Sequence, residues 1–148
     1  MTFPANAFIG TNLDDVIRWA AGQPRTVAVV GLSSKPDRPS HGVAKALQAM
    51  GYRIVPVNPA YDEVLGLTSY PDLASVPGPV DVVQVFRRSE HTPPVARQAA
   101  AEKGRLGLRV LWLQEGVVNE EAARIALEAG IAVVMDRCLY KDAVRLRR

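Results

Sequence analysis

Residues 27–40 read VAVVGLSSKPDRPS, an apolar run followed by a glycine and a polar loop that carries Lys35 and Arg38. The four Val and Ala residues before Gly31 are typical of a strand that is buried on both faces of a parallel sheet. Apolar residues recur at helical spacing after Ser40, so we expect Ser40 to be the N-cap of a helix. The stretch therefore predicts a buried strand, a polar turn and the start of a helix.

A strand, a turn and a helix in this order can bind an anion where the helix begins. The first backbone N–H groups of a helix have no internal partner and lie at the positive end of the helix dipole, so a phosphate placed there gains from both. Lys35 and Arg38 would add charge-assisted contacts. A turn that only reverses the chain contains similar small and polar residues, but it does not require two cations. Their presence favours an anion-binding turn.

The composition is that of one globular domain, which we expect to span residues 1–148. Hydrophobic residues make up 48% of the chain and charged residues 22%, and the length is sufficient to bury a core. No apolar run approaches the length of a membrane span, and the first residues, MTFPANAF, lack the pattern of a signal peptide. The single cysteine, Cys138, excludes an intramolecular disulfide and fits a reducing compartment. We therefore expect a cytoplasmic protein that does not contact a membrane.

The net charge does not indicate a nucleic-acid partner. It is only +3, and no basic run is interleaved with aromatic residues. Several of the cations lie at the C-terminus, where residues 145–148 read RLRR. A phosphorylated metabolite is the simpler anionic ligand.

Helical and extended patterns alternate along the chain. The predicted helices cover residues 12–21, 40–50, 94–103 and 119–129, and the predicted strands cover residues 27–30, 52–57, 80–86, 109–113 and 131–135. Residues 65–69 hold at most a short strand, and a basic tail with a short helix begins near residue 140. Pro56 cannot donate a ladder hydrogen bond, so we expect strand pairing to fail there. The alternation predicts an α/β domain with a mainly parallel sheet and helices on both faces.

Ligands of such sheets bind where the strands end, near the point at which the strand order reverses. The predicted strand ends carry an excess of cations, namely Lys35, Arg38, Arg87, Arg88 and Arg137. These residues predict an anion-binding rim.

Two common nucleotide-binding motifs are absent from the sequence of this rim. A nicotinamide cofactor requires Gly-x-Gly-x-x-Gly after the first strand and an acid at the end of the second. Residues 31–35 read GLSSK instead, and the second strand runs into Asn58. The loop also lacks the Gly-Lys-Ser/Thr sequence of a Walker P-loop. The predicted ligand is therefore phosphorylated but is not NAD.

Five segments, in this order, carry a family resemblance: VGLSSKPDRPSHGVAKALQAMGY, IVPVNP, VDVVQVFRRSE, LWLQEGV and VVMDRC. Together they resemble the small stand-alone coenzyme A-binding proteins of bacteria and archaea. The single domain of those proteins is similar to the coenzyme A-binding domain of the succinyl-CoA synthetase alpha subunit. The resemblance covers about residues 12–140. It implies a doubly wound, Rossmann-like fold and coenzyme A or an acyl-CoA as the ligand.

The resemblance also implies which residues surround the ligand. They are Gly31, Ser33, Ser34, Lys35, Arg38, Ser40, Val57, Asn58, Pro59, Phe86, Arg87, Trp112, Gln114 and Gly116. The first loop would hold the phosphates, residues 57–59 would flank the adenosine, and residues 112–116 would lie toward the pantetheine. We assign the diphosphate to backbone N–H groups around Ser33, Ser34 and the helix start. Lys35, Arg38 and Arg87 stay open as alternatives for the ribose phosphate.

No catalytic residue is predicted. His41 and His91 have no partners at metal-ligand spacing, and Glu115, a conceivable base, is of a type that is usually solvated in loops. Cys138 follows Arg137, a cation that could activate the thiol, and under oxidising conditions it could form a mixed disulfide with the coenzyme A thiol. We therefore expect a coenzyme A-binding protein without catalysis. The alternatives are a transferase or ligase component that acts on acyl-CoA with a partner subunit, and a nucleotide-sensing Rossmann module; the sequence leaves a homo-oligomer open.

Overall fold

Helices and strands alternate through residues 12–147, the part of the chain that the computed structural model describes. The helices there are Leu13–Ala21 (α1), Pro39–Ala49 (α2), Thr92–Leu106 (α3), Glu120–Glu128 (α4) and Leu139–Leu146 (α5). The strands are Thr26–Val30 (β1), Arg53–Val57 (β2), Glu63–Val64 (β3), Leu67–Thr68 (β4), Val82–Val85 (β5), Val110–Leu113 (β6) and Ala132–Val134 (β7). The short strand considered for residues 65–69 is one half of the small β3–β4 hairpin.

Five of these strands form one parallel sheet in the order β2-β1-β5-β6-β7. The chain moves outward from β1 to β2 and then returns to the other side of β1 with β5. The loops that leave β1 and β5 therefore diverge, which opens a crevice at the carboxyl end of the sheet. The Rossmann-like, doubly wound α/β fold predicted from the sequence is confirmed.

Alternate residues of β1 enter two different cores. Val27 and Val29 pack in a cluster with α1, α2 and α5, whereas Ala28 and Val30 pack in a cluster with α3 and α4. All four side chains are buried. A strand covered on both faces needs apolar residues at every position, which is the pattern that the sequence shows.

Pro56 does not end the pairing of β2, so that prediction is wrong. Pro56 lies opposite Val29, and the ladder continues to the pair Val30 and Val57. The Pro56 carbonyl accepts from the Tyr70 N–H at 3.0 Å. Because the N and O atoms of one strand residue point to the same side, the nitrogen of Pro56 faces away from β1. Its missing N–H removes no ladder bond on this edge strand.

The C-terminal residues form part of the core instead of a tail. Leu139 and Ala143 of α5 are fully buried, and α5 packs against α1 and α2. The Arg147 guanidinium lies over the Tyr52 ring, 5.0 Å from its centroid, and donates to the Met50 carbonyl at 2.9 Å. The predicted short helix is therefore present, but it helps to cover one face of the sheet.

Candidate functional site

The loop after β1 begins with a turn that requires glycine. Gly31 has a φ of 88° and donates its N–H to the Val57 carbonyl at 2.8 Å. A Cβ atom at this position would overlap the carbonyl oxygen of Phe86 and lie 3.1 Å from its carbonyl carbon. Glycine alone combines the positive φ with this close approach. The turn brings the ends of β1 and β5 together at the point where the strand order reverses.

Hydrogen bonds within residues 33–41 fix the loop against the start of α2. The Ser33 N–H donates to Ser40 Oγ at 3.0 Å, and the Lys35 N–H donates to Ser33 Oγ at 3.1 Å. His41 Nδ1 lies 3.0 Å from the Ser33 carbonyl oxygen. The loop therefore has a defined shape before any ligand binds.

Ser40 is not the N-cap of α2, so that prediction is wrong. The helix begins at Pro39 with Arg38 as its N-cap residue. Proline suits the first helical position because its φ is already helical and its missing N–H would have no partner there. The buried Ser40 hydroxyl accepts from the Ser33 N–H instead. That bond also occupies the Ser33 N–H, which we expected to be open to a diphosphate.

The start of α2 differs from the starts of α1 and α4. Asn12 and Asn119 cap those two helices through their side chains, and both helices carry two acidic residues in the first turn. The Arg38 side chain makes no capping hydrogen bond, and the first turn of α2 has no acidic residue. The first turn of α2, like that of α3, therefore has neither a capping side chain nor an acid of its own, and its positive end can accept an anion from outside the helix.

Tyr61 lines the same cleft as this loop and was not among the residues predicted to surround the ligand. Hydrogen bonds from the Ser34 side chain, from the Ser33 side chain and from the Ser34 backbone lower the pKa of the Tyr61 phenol, with a further contribution from the Lys35 cation. The loop thus already stabilises negative charge on an oxygen atom. The one signal in the sequence is an aromatic residue shortly after the end of β2.

An open cleft of about 700 Å³ lies between this loop and the ends of β5 and β6. It is lined by Gly31, Ser33, Lys35, Arg38, Pro39, Ser40, Tyr61, Phe86, Arg87, Arg88, Gln114, Glu115 and Val117. Eight of these residues are among those that the resemblance places at the ligand. Its volume is in the range of small-molecule sites.

The charge of the cleft is predominantly positive. Lys35, Arg38, Arg87 and Arg88 line it, and none of the four forms an ion pair with another residue of the described range 12–147. Glu115 is the one acid in the lining, and its Oε1 atom lies 3.0 Å from Lys141 Nζ. The hydrogen bond to Glu115 and its negative charge raise the pKa of Lys141. The cleft therefore presents four cations that have no acidic partner within the described chain.

Arg137 does not belong to this rim, contrary to the sequence prediction. Its guanidinium donates to both carboxylate oxygens of Asp142, at 2.7 and 2.9 Å, and this pair raises the pKa of Arg137. Cys138, the N-cap residue of α5, is buried and is not part of the cleft lining. The geometry therefore gives no support to Arg137 as an activating cation for Cys138.

Asn58 and Val57 support the loop from behind instead of lining the cleft. The Asn58 amide donates to the Leu32 carbonyl at 3.1 Å, and its side-chain oxygen accepts from the Ala60 N–H at 3.0 Å. Both Asn58 and Val57 are buried, whereas Pro59 and Ser34 are exposed outside the lining. Asn58 thus ties the end of β2 to the loop after β1.

Trp112 and Gly116 are also absent from the lining. Trp112 is fully buried in the core with α1, and its indole N–H donates to the Arg137 carbonyl at 2.8 Å. Trp112 therefore anchors the end of β7 and does not touch the cleft, contrary to the expectation. The Gly116 N–H donates to Asp136 Oδ1 at 2.7 Å. Trp112 packs on the face of the sheet that α1 and α5 cover, and these helices enclose its ring in the core.

Two other kinds of site find no support in residues 12–147. No group of three or more His, Cys, Asp or Glu residues there is arranged to hold a metal ion. No helix in the same range is long and apolar enough to span a membrane.

Sequence comparison identifies relatives of two kinds. The uncharacterised YneT protein of Bacillus subtilis (strain 168) is 48% identical over 115 residues, which are 78% of this chain and 82% of YneT. The ADP-forming acetate–CoA ligase II of Archaeoglobus fulgidus is 31% identical over 110 residues, which are 71% of this chain but 16% of the ligase. The chain therefore matches one small protein over most of its length and one region of a much larger enzyme.

Structural comparison gives a similar picture. A hypothetical protein from Pyrococcus horikoshii OT3 has a TM-score of 0.83 and 36% identity, with 99% of this chain and 97% of that chain covered. A dinucleotide-forming acetyl-coenzyme A synthetase 1 from Ca. Korarchaeum cryptofilum, in complex with phosphate and ADP, has a TM-score of 0.67 and 26% identity, with 82% and 27% covered. A family model described as a CoA binding domain matches residues 25–143. This chain belongs to that family of CoA-binding domains.

Proposed function

We propose that the protein binds coenzyme A or an acyl-CoA in the cleft between the β1 loop and the ends of β5 and β6. One observation carries the proposal: the uncapped start of α2, flanked by Lys35 and Arg38, opens into a cationic cleft in a chain of the CoA-binding family. Coenzyme A carries a diphosphate and a ribose phosphate, which suit four cations without acidic partners in the described chain.

The diphosphate is assigned to the start of α2 and the adjoining serines. The Ser33 N–H shapes the loop by its bond to Ser40, so the donors that remain for the ligand are the Ser34 N–H and the hydroxyls of Ser33 and Ser34, the groups that lower the pKa of Tyr61. A phosphate oxygen needs the same donors as the phenol oxygen. We therefore expect the diphosphate to displace the Tyr61 hydroxyl.

The remaining parts of the ligand follow from the direction of the cleft. The adenosine would lie toward the turn at residues 58–61. The ribose phosphate would contact Lys35, Arg38 or Arg87, and each such contact would stabilise the complex by about 1.5–3 kcal/mol. The pantetheine arm would pass Phe86 and reach Gln114, which are cleft residues. This arrangement gives the phosphates to the cations and the uncharged arm to the less polar end.

Titration calorimetry at low salt with coenzyme A, acetyl-CoA and dephospho-CoA tests the proposal, with NAD and NADP as ligands that should not bind. Replacing Lys35 and Arg38 together by alanine should weaken coenzyme A binding at least about 100-fold, since two charged contacts are lost. The matched control replaces Arg18 and Lys45, exposed cations outside the cleft lining, and should leave the affinity unchanged. An absence of heat with every coenzyme A species would refute the proposal.

A second function is favoured by the similarity to the acetate–CoA ligase. The chain would then present the thioester to a separate subunit that supplies the catalytic groups. Purified chain incubated with acetyl-CoA, ADP and phosphate should form no ATP if it only binds coenzyme A. ATP formation by the chain alone would show that the chain is itself catalytic, and ATP formation only with an added partner would support the second function. Tighter binding of NAD or NADP than of coenzyme A would instead indicate a nucleotide-sensing module.

A further inference from the structure

Gln84 is a polar residue buried in the middle of the sheet. It lies in β5 between Val29 of β1 and Trp112 of β6, and its side chain is fully buried. The other three residues of β5 are valines. Gln84 Nε2 donates to Gln114 Oε1 at 3.0 Å, whereas Gln84 Oε1 has no hydrogen-bond partner within residues 12–147. An unpartnered buried oxygen destabilises a fold, so a residue that only filled this core would be better replaced by valine.

The partner of Gln84 connects it to the cleft. Gln114 follows the end of β6, is 7% exposed and lines the cleft. Its amide oxygen is held by Gln84, which leaves the Gln114 NH₂ group as the end of the amide that can serve a ligand. Phe86 is two residues after Gln84, so the two side chains lie on the same face of the sheet. Phe86 also lines the cleft. Gln84 therefore lies directly below the floor formed by Phe86 and Gln114.

Phe86 and Gln114, which form this floor, carry no charge, although Arg87 and Arg88 follow Phe86 at the rim. Phe86 and Val117 contribute apolar surface, and the Glu115 carboxylate is paired with Lys141 at 3.0 Å. A phosphate would be served better at the start of α2, among Lys35 and Arg38. The chemistry that fits the floor is an uncharged chain that carries a carbonyl oxygen.

We propose that Gln114, held in its orientation by Gln84, donates a hydrogen bond to a carbonyl oxygen of the ligand arm. Gln114 is the recognition residue and Gln84 is a positioning residue that does not touch the ligand. The inference rests on the proposed function, because the arm of coenzyme A carries amide carbonyls and an acyl-CoA adds a thioester carbonyl. It deepens that function by assigning how the site distinguishes a ligand with the arm from the nucleotide alone.

Three neutral variants test the inference: Gln114→Met, Gln84→Met and, as the matched control, Gln48→Met on α2, which is outside the cleft lining. Each is titrated with coenzyme A, acetyl-CoA and adenosine 3′,5′-bisphosphate, which has no arm. Gln114→Met should weaken coenzyme A binding about tenfold and leave bisphosphate binding within about twofold, since one hydrogen bond to the arm is lost. Gln84→Met should weaken coenzyme A binding by a smaller factor without lowering the melting temperature, because it also removes the unpartnered oxygen. Gln48→Met should change neither affinity.

The outcomes separate the two proposals and the two possible carbonyls. A loss of affinity confined to ligands with the arm supports the inference. An equal loss for coenzyme A and acetyl-CoA indicates that Gln114 contacts an amide carbonyl of the arm. A larger loss for acetyl-CoA indicates that it contacts the thioester carbonyl. Equal weakening of coenzyme A and the bisphosphate, or unchanged coenzyme A binding in Gln114→Met, would overturn it. Wild-type protein that binds coenzyme A and the bisphosphate equally well would overturn this inference alone. Wild-type protein that binds neither would overturn the proposed function.

Discussion

Gly31 and Phe86 meet so closely that a side chain at Gly31 would collide with the Phe86 carbonyl group. Gly31 follows β1 and Phe86 follows β5, so this contact joins the two strands between which the sheet order reverses. The cationic loop leaves from one side of the contact, and Arg87 and Arg88 leave from the other. The geometry of the cleft therefore depends on a backbone approach that only glycine permits.

Replacement of Gly31 by alanine should lower the free energy of unfolding by about 3 kcal/mol, because it combines a strained positive φ with a collision that the backbone must relieve. Urea unfolding followed by circular dichroism measures this change. Gly104→Ala is the matched control, since nothing lies within 4 Å of a Cβ atom there, and it should stabilise α3 by about 0.5–1 kcal/mol. A Gly31→Ala protein as stable as this control would contradict the geometry described for the turn.

Ser40→Ala should loosen the loop without unfolding the protein. The Ser33 N–H loses its acceptor, which costs about 1 kcal/mol of stability, and the loop loses the bond that holds it against α2. Amide hydrogen exchange followed by NMR should show faster exchange at Ser33, and calorimetry should show weaker coenzyme A binding. Ser75→Ala is the control, because the Ser75 hydroxyl donates to Asp72 on an exposed turn. Unchanged exchange at Ser33 would show that the bond to Ser40 does not hold the loop.

The sheet was predictable because most positions of its strands are apolar and the strands alternate with helices. The errors concern local competition between residues. Ser40 has a good capping side chain, but Pro39 takes the first helical position and moves the cap to Arg38. Pro56 weakens a ladder only where its nitrogen faces a neighbouring strand, and the sequence does not tell which side that is. Leu139 carries the apolar face of α5 into the core although the surrounding residues read as a basic tail.

The phosphate end of the candidate site was more predictable than its other end. Lys35 and Arg38 follow a strand directly in the sequence, so the topology alone places them at the cleft. Trp112 was expected at the ligand because the family resemblance places residues 112–116 toward the pantetheine, but side chains alternate along a strand and this one enters the core. The pairing of Gln84 with Gln114 spans 30 residues, and sequence periodicity carries no information about such a contact.

Alkaline pH should destabilise the protein through Tyr52. Burial raises the pKa of Tyr52 to about 12, against an ordinary value of 10.0, although the nearby Arg147 and Arg25 oppose the increase. A group whose pKa is raised by folding contributes its full stability below the unfolded pKa and loses it as pH rises through the folded pKa. The free energy of unfolding should therefore fall between pH 10 and pH 12, by up to about 2.7 kcal/mol from this residue.

Urea unfolding at a series of pH values from 9 to 12 measures the contribution of Tyr52. Tyr52→Phe removes the ionising hydroxyl and the bond that this hydroxyl donates to the Ala20 carbonyl at 2.7 Å. The variant should be less stable than the wild type at pH 9, and its stability should depend less on pH above 10. Tyr140→Phe is the control, because Tyr140 of α5 is only partly buried. An identical pH dependence in wild type and Tyr52→Phe would rule out Tyr52 as the titrating group.

Tyr61 should report directly on phosphate binding. Donors from Ser34 and Ser33 lower the pKa of Tyr61 in the structure. Its phenol should therefore ionise at a lower pH than the phenol of an ordinary tyrosine. If the diphosphate takes these donors and adds negative charge nearby, the pKa of Tyr61 should rise when coenzyme A binds. Ultraviolet difference titration with saturating coenzyme A should show the shift in wild type and in Tyr70→Phe but not in Tyr61→Phe. Any phosphate among the same donors must compete with the phenol oxygen. If the pKa of Tyr61 does not change when coenzyme A binds, the diphosphate therefore lies away from these serines.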